Sequence, residues 1–252
     1  MRHCIMALML LVGTQTSTAE DLPLPEKPAT LAFNVSVGGH PPFTIVHDDG
    51  RVSGIFWDVL NTIARRHEFA IRPVQVPPKR TDSLLRQGHV DITMRAIEWT
   101  DEPGAFVFSR PVMNTRDAIF VHRDREGEIR HVQDLKGPLL SRLGFHYPWL
   151  ERKIRSGEVT LIPVQEQKPM FRRLLHGGDR FAGAISNLHV GRWTLRKSGW
   201  DDQIRQAPLR LDEVGYRLMF PHRHKDLVPL VNRELERMKA SGELDRIIRA
   251  YQ

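Results

Sequence analysis

Cysteine is almost absent from this chain of 252 residues. The single one, Cys4, lies in an N-terminal segment that reads as a signal peptide. Once that segment is removed, no disulfide, thiol nucleophile or thiolate metal site can form. The fold must then hold by its own core, as an exported chain of about 230 residues can. Long apolar runs are missing as well. The run from Cys4 to Val12 has the length of a signal core and falls short of the ~20 residues that span a bilayer. Met1-Arg2-His3 precedes it, and Ser17-Thr18-Ala19 follows with small residues where a signal peptidase needs them, so cleavage is expected after Ala19. Cys4 stands before the apolar run, unlike a lipid-attachment cysteine. No membrane insertion of the mature chain is expected.

Concentrated charge is lacking too. Lys and Arg number 37 against 30 Asp and Glu, a formal net charge of +7, and loss of Arg2 leaves +6. These residues are dispersed, with no basic run and no aromatic-basic module, which argues against nucleic-acid binding. A mild preference for anions is compatible with the balance. Phosphate-binding loops and dinucleotide fingerprints are absent. His176-Gly177-Gly178 has no G-x-S-x-G elbow to serve, and His222-x-His224 has no carboxylates at metal-ligand spacing. No cofactor and no metal site are expected.

What is present is an alternation of strands and helices. Glu20 to Thr30 holds three prolines and reads as a leader. Leu31 to Val37 reads as a strand stopped at Gly38-Gly39, followed by the extended segment His40-Pro41-Pro42-Phe43. Asp48-Asp49-Gly50 marks a turn. Phe56, Val59, Leu60, Ile63 and Ala64 recur at helical spacing and predict a helix over 54–67. Strands are expected at 71–76, 90–94, 118–121, 181–185 and 216–220. Thr81 is a candidate N-cap and Gly88 a candidate C-terminal stop for a short helix between them. A second helix–glycine–strand unit begins at Pro169, a candidate first helical residue, and ends at Phe181 to Ile185. Two helices separated at Ser241-Gly242 close the chain. This order predicts α/β lobes with largely parallel sheets.

The ordered motifs resemble those of the family 3 extracellular solute-binding proteins. Pro41-Pro42-Phe43 is similar to the family's PPF, Gly54 to Asp58 to its G-F-D-x-D, and Leu85-x-x-Gly88-x-x-Asp91 to its L-x-x-G-x-x-D. Phe108-Ser109-x-Pro111, Asp134-Leu135-Lys136-Gly137 and the closing helices from Leu235 to Ile248 follow in the family's order. The resemblance covers about residues 31 to 252. It implies a two-lobed, type II periplasmic binding fold with two crossover hinge strands. Residues 31–117 plus 215–252 would form lobe 1 and residues 118–214 lobe 2, after a signal peptide (1–19) and leader (20–30). A small molecule would close the lobes by hinge motion. A monomeric periplasmic protein delivering its ligand to an ABC transporter permease is implied. A dehydratase-like enzyme using Glu98 or Glu102, and a ligand-presenting sensor component, are the alternatives.

The departures bear on the ligand. The family's T-x-E-R arginine is missing from Trp99-Thr100-Asp101-Glu102-Pro103, and its late lobe-two aspartate is matched by Asn187. The ligand is therefore expected to be a small polar or anionic molecule other than an ordinary α-amino acid. Arg80, Arg95 and Arg142 are candidate anion clamps. Phe43, Trp99, Phe145 and Tyr147 are candidate aromatic walls. His40, His146 and Asn187 are candidate polar contacts, and the turn before Tyr147 is a candidate helix-start anion site.

Overall fold

A computed structural model describes residues 30–251; the expected cleavage after Ala19 lies outside them. Five consecutive residues of β1 (Thr30–Ser36) are buried, as in a strand covered on both faces. The proline loop and the hairpin of β2 (Ile45–Val46) and β3 (Val52–Ser53) lead into α1 (Ile55–Arg66). Ile55, Phe56, Val59, Leu60, Ile63 and Ala64 form its buried stripe, the spacing seen in the sequence. The N–H groups of Ile55 and Phe56 donate to the carbonyls of Pro42 and Phe43, each at 3.0 Å, so the loop partners donors that a helix start leaves open. Gly54 makes this approach feasible. Its φ is +118°, and a Cβ there would stand 2.6 Å from the Phe43 carbonyl oxygen.

Next come β4 (Ala70–Val76) and α2 (Thr81–Gln87), which stops at Gly88 in the left-handed conformation. Thr81 does not cap this helix. A 3-10 turn over Pro78–Arg80 runs straight into it, so Arg80 holds the cap position and Thr81 is its first residue, buried beside Asn34. Then follow β5 (Thr93–Ala96), β6 (Phe106–Phe108), β7 (Met113–Thr115), β8 (Asp117–His122) and β9 (Gly137–Arg142). The short α3 (Glu151–Arg155), β10 (Val159–Val164), α4 (Gln167–Gly177), β11 (Gly183–Asn187), α5 (Leu188–Ser198) and β12 (Ile204–Gln206) complete the middle of the chain. Pro169 is the third residue of α4, not the first; Gln167 opens the helix. The chain ends with β13 (Val214–Pro221), α6 (Leu227–Ala240) and α7 (Glu243–Arg249), the last two separated at Ser241-Gly242 as expected.

The strands form two assemblies. In the first, β1 lies parallel to β4 and on its other side meets the approach to β5, where Asn34 N–H donates to the Ile92 carbonyl at 2.8 Å. Strand β13 then pairs antiparallel with β5, β6 and β7. The second assembly has the order β10-β9-β11-β8-β12. Its β10-β9 and β9-β11 pairs are parallel, while β8 joins antiparallel. Alternate residues of β8 serve opposite faces: Ala118 and Phe120 pack with Phe171 and Leu174, while Ile119 and Val121 pack with Leu139 and Leu150, the two-residue period of a strand. The backbone passes between the assemblies at Arg116 and again between β12 and β13. The fold is two-lobed α/β with two crossover strands. No helix among the described residues is long and apolar enough to cross a membrane.

Candidate functional site

A cavity of about 530 Å³ lies between the two sheets. It faces the C-terminal ends of β1, β9 and β11 and the start of β8, where α/β sheets open to ligands. Eight of the ten residues singled out in the sequence line it: His40, Arg95, Trp99, Arg142, Phe145, His146, Tyr147 and Asn187. Phe43 and Arg80 do not. Phe43 is fully buried, edge-on to Phe56 and Tyr216 at 5.9 and 4.9 Å, because the PPF loop must seal the start of α1. Arg80 is exposed, since the 3-10 turn directs its two preceding residues, Pro78 and Lys79, to the cavity instead. The turn before Tyr147 does not build a helix-start anion site either. Pro148, which has no N–H, follows, and the helix beyond it has five residues.

Most charges on the wall are already neutralised by neighbours. Arg95 binds Asp82 at 2.7 Å and Arg86 binds Glu102 at 2.6 Å. His146 Nδ1 lies 3.3 Å from Asp101. The arginine missing from the 99–103 stretch is therefore not replaced by Arg95, whose charge is taken. Arg142 differs. It is 8 % exposed, and its Nε is buried without a hydrogen-bond partner. Burial pulls its pKa down, countered by the charges of Tyr147 and Glu166. It lies near the face of Phe145, 5.6 Å from the ring centroid.

His40 bridges the lobes, its ring 5.6 Å from Phe43 on one side and 5.6 Å from Phe145 on the other. Burial, reinforced by the Arg142 charge, lowers its pKa to about 3, so the ring is neutral near pH 7. Its Nδ1 has no partner. Asn187 is committed to structure. Its Oδ1 accepts the His189 N–H at 3.0 Å and caps α5, while its Nδ2 donates to Thr115 Oγ1 at 2.6 Å.

Several lining residues escaped sequence reasoning. Asn34 lines the cavity from β1, donating to Thr93 Oγ1 at 2.9 Å and keeping its Oδ1 unpartnered. Gln167 donates to Ser186 Oγ at 2.7 Å. Tyr216 comes from β13 and packs against Trp99. Asp117 is the largest omission. It is 8 % exposed and accepts one hydrogen bond from Trp149 Nε1 at 3.0 Å. Burial raises its pKa to about 6 against the lowering by that bond. Neither carboxylate considered for proton transfer is buried: Glu98 and Glu102 are exposed.

Residues 34–252 match the model of the bacterial extracellular solute-binding proteins, family 3. The chain belongs to that family. It is 25 % identical over 256 residues to the L-cystine-binding protein TcyJ of Escherichia coli strain K12, covering 96 % of this chain and 91 % of TcyJ. Among solved structures, a chain from the work on glutathione import through GshT and the cystine ABC importer TcyBC of Streptococcus mutans superposes with a TM-score of 0.77. It has 18 % identity and covers 89 % of this chain and 95 % of that one. A histidine kinase sensor domain similar to periplasmic binding proteins superposes at 0.75, with 17 % identity and coverage of 89 % and 96 %.

Proposed function

We propose that this protein captures a small polar or anionic molecule in the interlobe cleft and delivers it to the permease of an ABC importer. On this reading it works in the periplasm as a monomer, after cleavage behind Ala19, and catalyses no reaction. Lobe 1 comprises residues 31–117 plus 215–252 and lobe 2 residues 118–214. The observation that carries the proposal is Arg142: a guanidinium held almost fully out of water, with an unsatisfied Nε, facing a cavity of small-molecule size. A buried cation without a counter-ion is costly, and a ligand carboxylate relieves that cost with charge-assisted hydrogen bonds. The relatives that bind cystine or take part in import support a solute-binding role of this kind.

The test is small-angle scattering with and without candidate organic acids. A contraction on binding, lost in Arg142→Gln together with at least tenfold in affinity, is the expected result. Unchanged dimensions with every carboxylate tried, or full binding by Arg142→Gln, would sink the reading.

A further inference from the structure

Lys and Arg are dispersed along the sequence but not over the surface. Helices α4 and α5 together carry Lys168, Arg172, Arg173, Arg192, Arg196 and Lys197, and no Asp or Glu. All of these side chains are exposed. Against a net charge of +7 for the whole chain, the charges outside these two helices nearly cancel. The fold sets the helices side by side. Met170, Phe171 and Leu174 of α4 share one hydrophobic cluster with Leu188 and Leu195 of α5, on a single face of the second sheet. Phe120 of β8 reaches both: its ring meets Phe171 at 5.3 Å and leaves no room for a Cβ at Gly191. With the apolar sides spent on the sheet, the charged sides turn outward together. None of the six cations lines the interlobe cavity.

Stability does not account for this arrangement. Elsewhere on the surface arginines pair with carboxylates, as Arg66 does with Glu243, Arg110 with Glu236 and Arg125 with Glu128. None of the cations of α4 and α5 has an ion pair among the described residues. Arg192 donates to Gln206 Oε1 at 2.8 Å, and Lys197 lies 5.9 Å from the Trp193 ring. Lys168 with Arg172, and Arg192 with Arg196, are like charges four positions apart, which repel along a helix face. Lys168 also stands in a first turn, where the helix dipole disfavours a cation. Neither helix has an acid in its first turn, whereas α1 and α7 do. Glu166, Asp179, Asp201 and Asp202 flank the helices at their ends, off the charged face.

Trp193 is a second, independent sign. It stands on α5 next to Arg192, half-buried, and belongs to none of the hydrophobic clusters of the described residues, whereas Trp200 packs against one. An indole on a basic helix face suits the headgroup level of a bilayer, where the ring meets hydrocarbon and the N–H meets water.

We propose that the outer face of α4 and α5 is a docking surface for an anionic phospholipid membrane, with its lysines and arginines on lipid phosphates and Trp193 among the headgroups. The contact is peripheral, since no helix among the described residues is long and apolar enough to cross a membrane. Each cation near the surface adds attraction, and salt screens the sum. The face lies outside the cavity, so docking leaves the cleft free and is independent of what the cleft binds. An exported capture protein would thereby be held where a membrane importer receives its ligand.

The experiment is co-sedimentation of the purified protein with vesicles of phosphatidylglycerol mixed into phosphatidylcholine, and of phosphatidylcholine alone. Partitioning to the anionic vesicles is expected to be at least about tenfold stronger at low salt and to fall as salt rises. Arg172→Glu, Arg173→Glu, Arg196→Glu and Lys197→Glu combined should abolish it. Arg65→Glu, Arg72→Glu, Arg233→Glu and Arg249→Glu combined make an equal charge change on exposed residues of α1, β4, α6 and α7, and should keep it within about threefold. Fluorescence reads the same contact without charge reversal: anionic vesicles should blue-shift the wild-type tryptophan emission, and Trp193→Phe should remove the shift. Equal partitioning to both vesicle types, equal losses in the two combined variants, or a shift that survives Trp193→Phe overturns the proposal. Retention on soluble heparin without vesicle binding overturns it as well, and would assign the face to a soluble polyanion.

Discussion

Asp117 couples the cleft to pH as well as to charge. Its carboxyl pKa rises from 3.8 to about 6 because burial disfavours the ion. The folded protein therefore holds a proton that the unfolded chain has already lost between those two values. Stability from this source is present in full below pH 3.8 and is lost as pH rises through about 6, a difference of about 3 kcal/mol. His40 acts in the opposite sense. Its pKa falls from 6.5 to about 3, so its contribution is complete above 6.5 and disappears as pH falls. Replacing Asp117 separates the two. Asp117→Asn keeps an oxygen for Trp149 and removes the buried charge. It is expected to match the wild type at pH 3.5 and to exceed its stability by about 2–3 kcal/mol at pH 7.5. Denaturant melts at both pH values check this; an equal gain at both would show that the carboxylate does not titrate as described. A stabilising loss of charge at a cleft position is what a residue retained for binding should show.

At the scale of elements, the sequence reading succeeded where one segment's own pattern decides the outcome. The stripe of α1 and the Ser241-Gly242 break are examples. It missed at Thr81 and Pro169, where the preceding turn sets where the helix begins. Asp91 shows a further limit. It was legible as part of a motif but not as a clamp. Its Oδ2 accepts the Ala32 N–H of β1 at 2.8 Å, and its Oδ1 accepts from Arg223 at 2.9 Å and meets His224 at 2.7 Å. Those partners lie more than 50 and more than 130 positions away, beyond any local pattern. His224, which the sequence offered only in a pair without metal-ligating carboxylates, is thus a structural partner of the Asp91 carboxylate. Burial pushes the Asp91 carboxyl up, yet the bonds from His224, Ala32 and Arg223 outweigh it and hold the group well below the usual carboxylate range. Such a depressed pKa gives stability that is present above pH 3.8 and lost under acid. Asp91→Asn is expected to cost about 2 kcal/mol at pH 7, with the deficit shrinking as pH falls toward 3. A constant deficit across that range would mean that packing, not charge, carries the effect.

At the scale of the whole molecule, the cleft is formed by contacts between lobes that no stretch of sequence contains. The loop at 144–147 brings Phe145 against His40 and His146 toward Asp101, and Gly144 lies so close to Lys79 that a Cβ would stand 3.0 Å from its Cγ. The sequence pointed to eight lining residues because turns after strands are where α/β lobes bind. It could not separate Arg142 from Arg95, because only the folded chain shows that Asp82 has already taken the latter. If the lobes close on a ligand as the capture reading has it, the same contacts would set the balance between open and closed forms. The His146–Asp101 pair is exposed and contributes at most ~1 kcal/mol, whereas the Phe145 ring is the wall through which His40 touches lobe 2. Phe145→Ala is therefore expected to shift the ligand-free protein toward open forms and to enlarge its radius of gyration. Apparent ligand affinity should fall by the same factor as the closed population, with the preference among ligands unchanged, since Arg142 remains in place. Scattering and calorimetry on the same samples read both quantities. Weaker binding without any change in dimensions would instead make Phe145 a direct ligand contact that takes no part in closure.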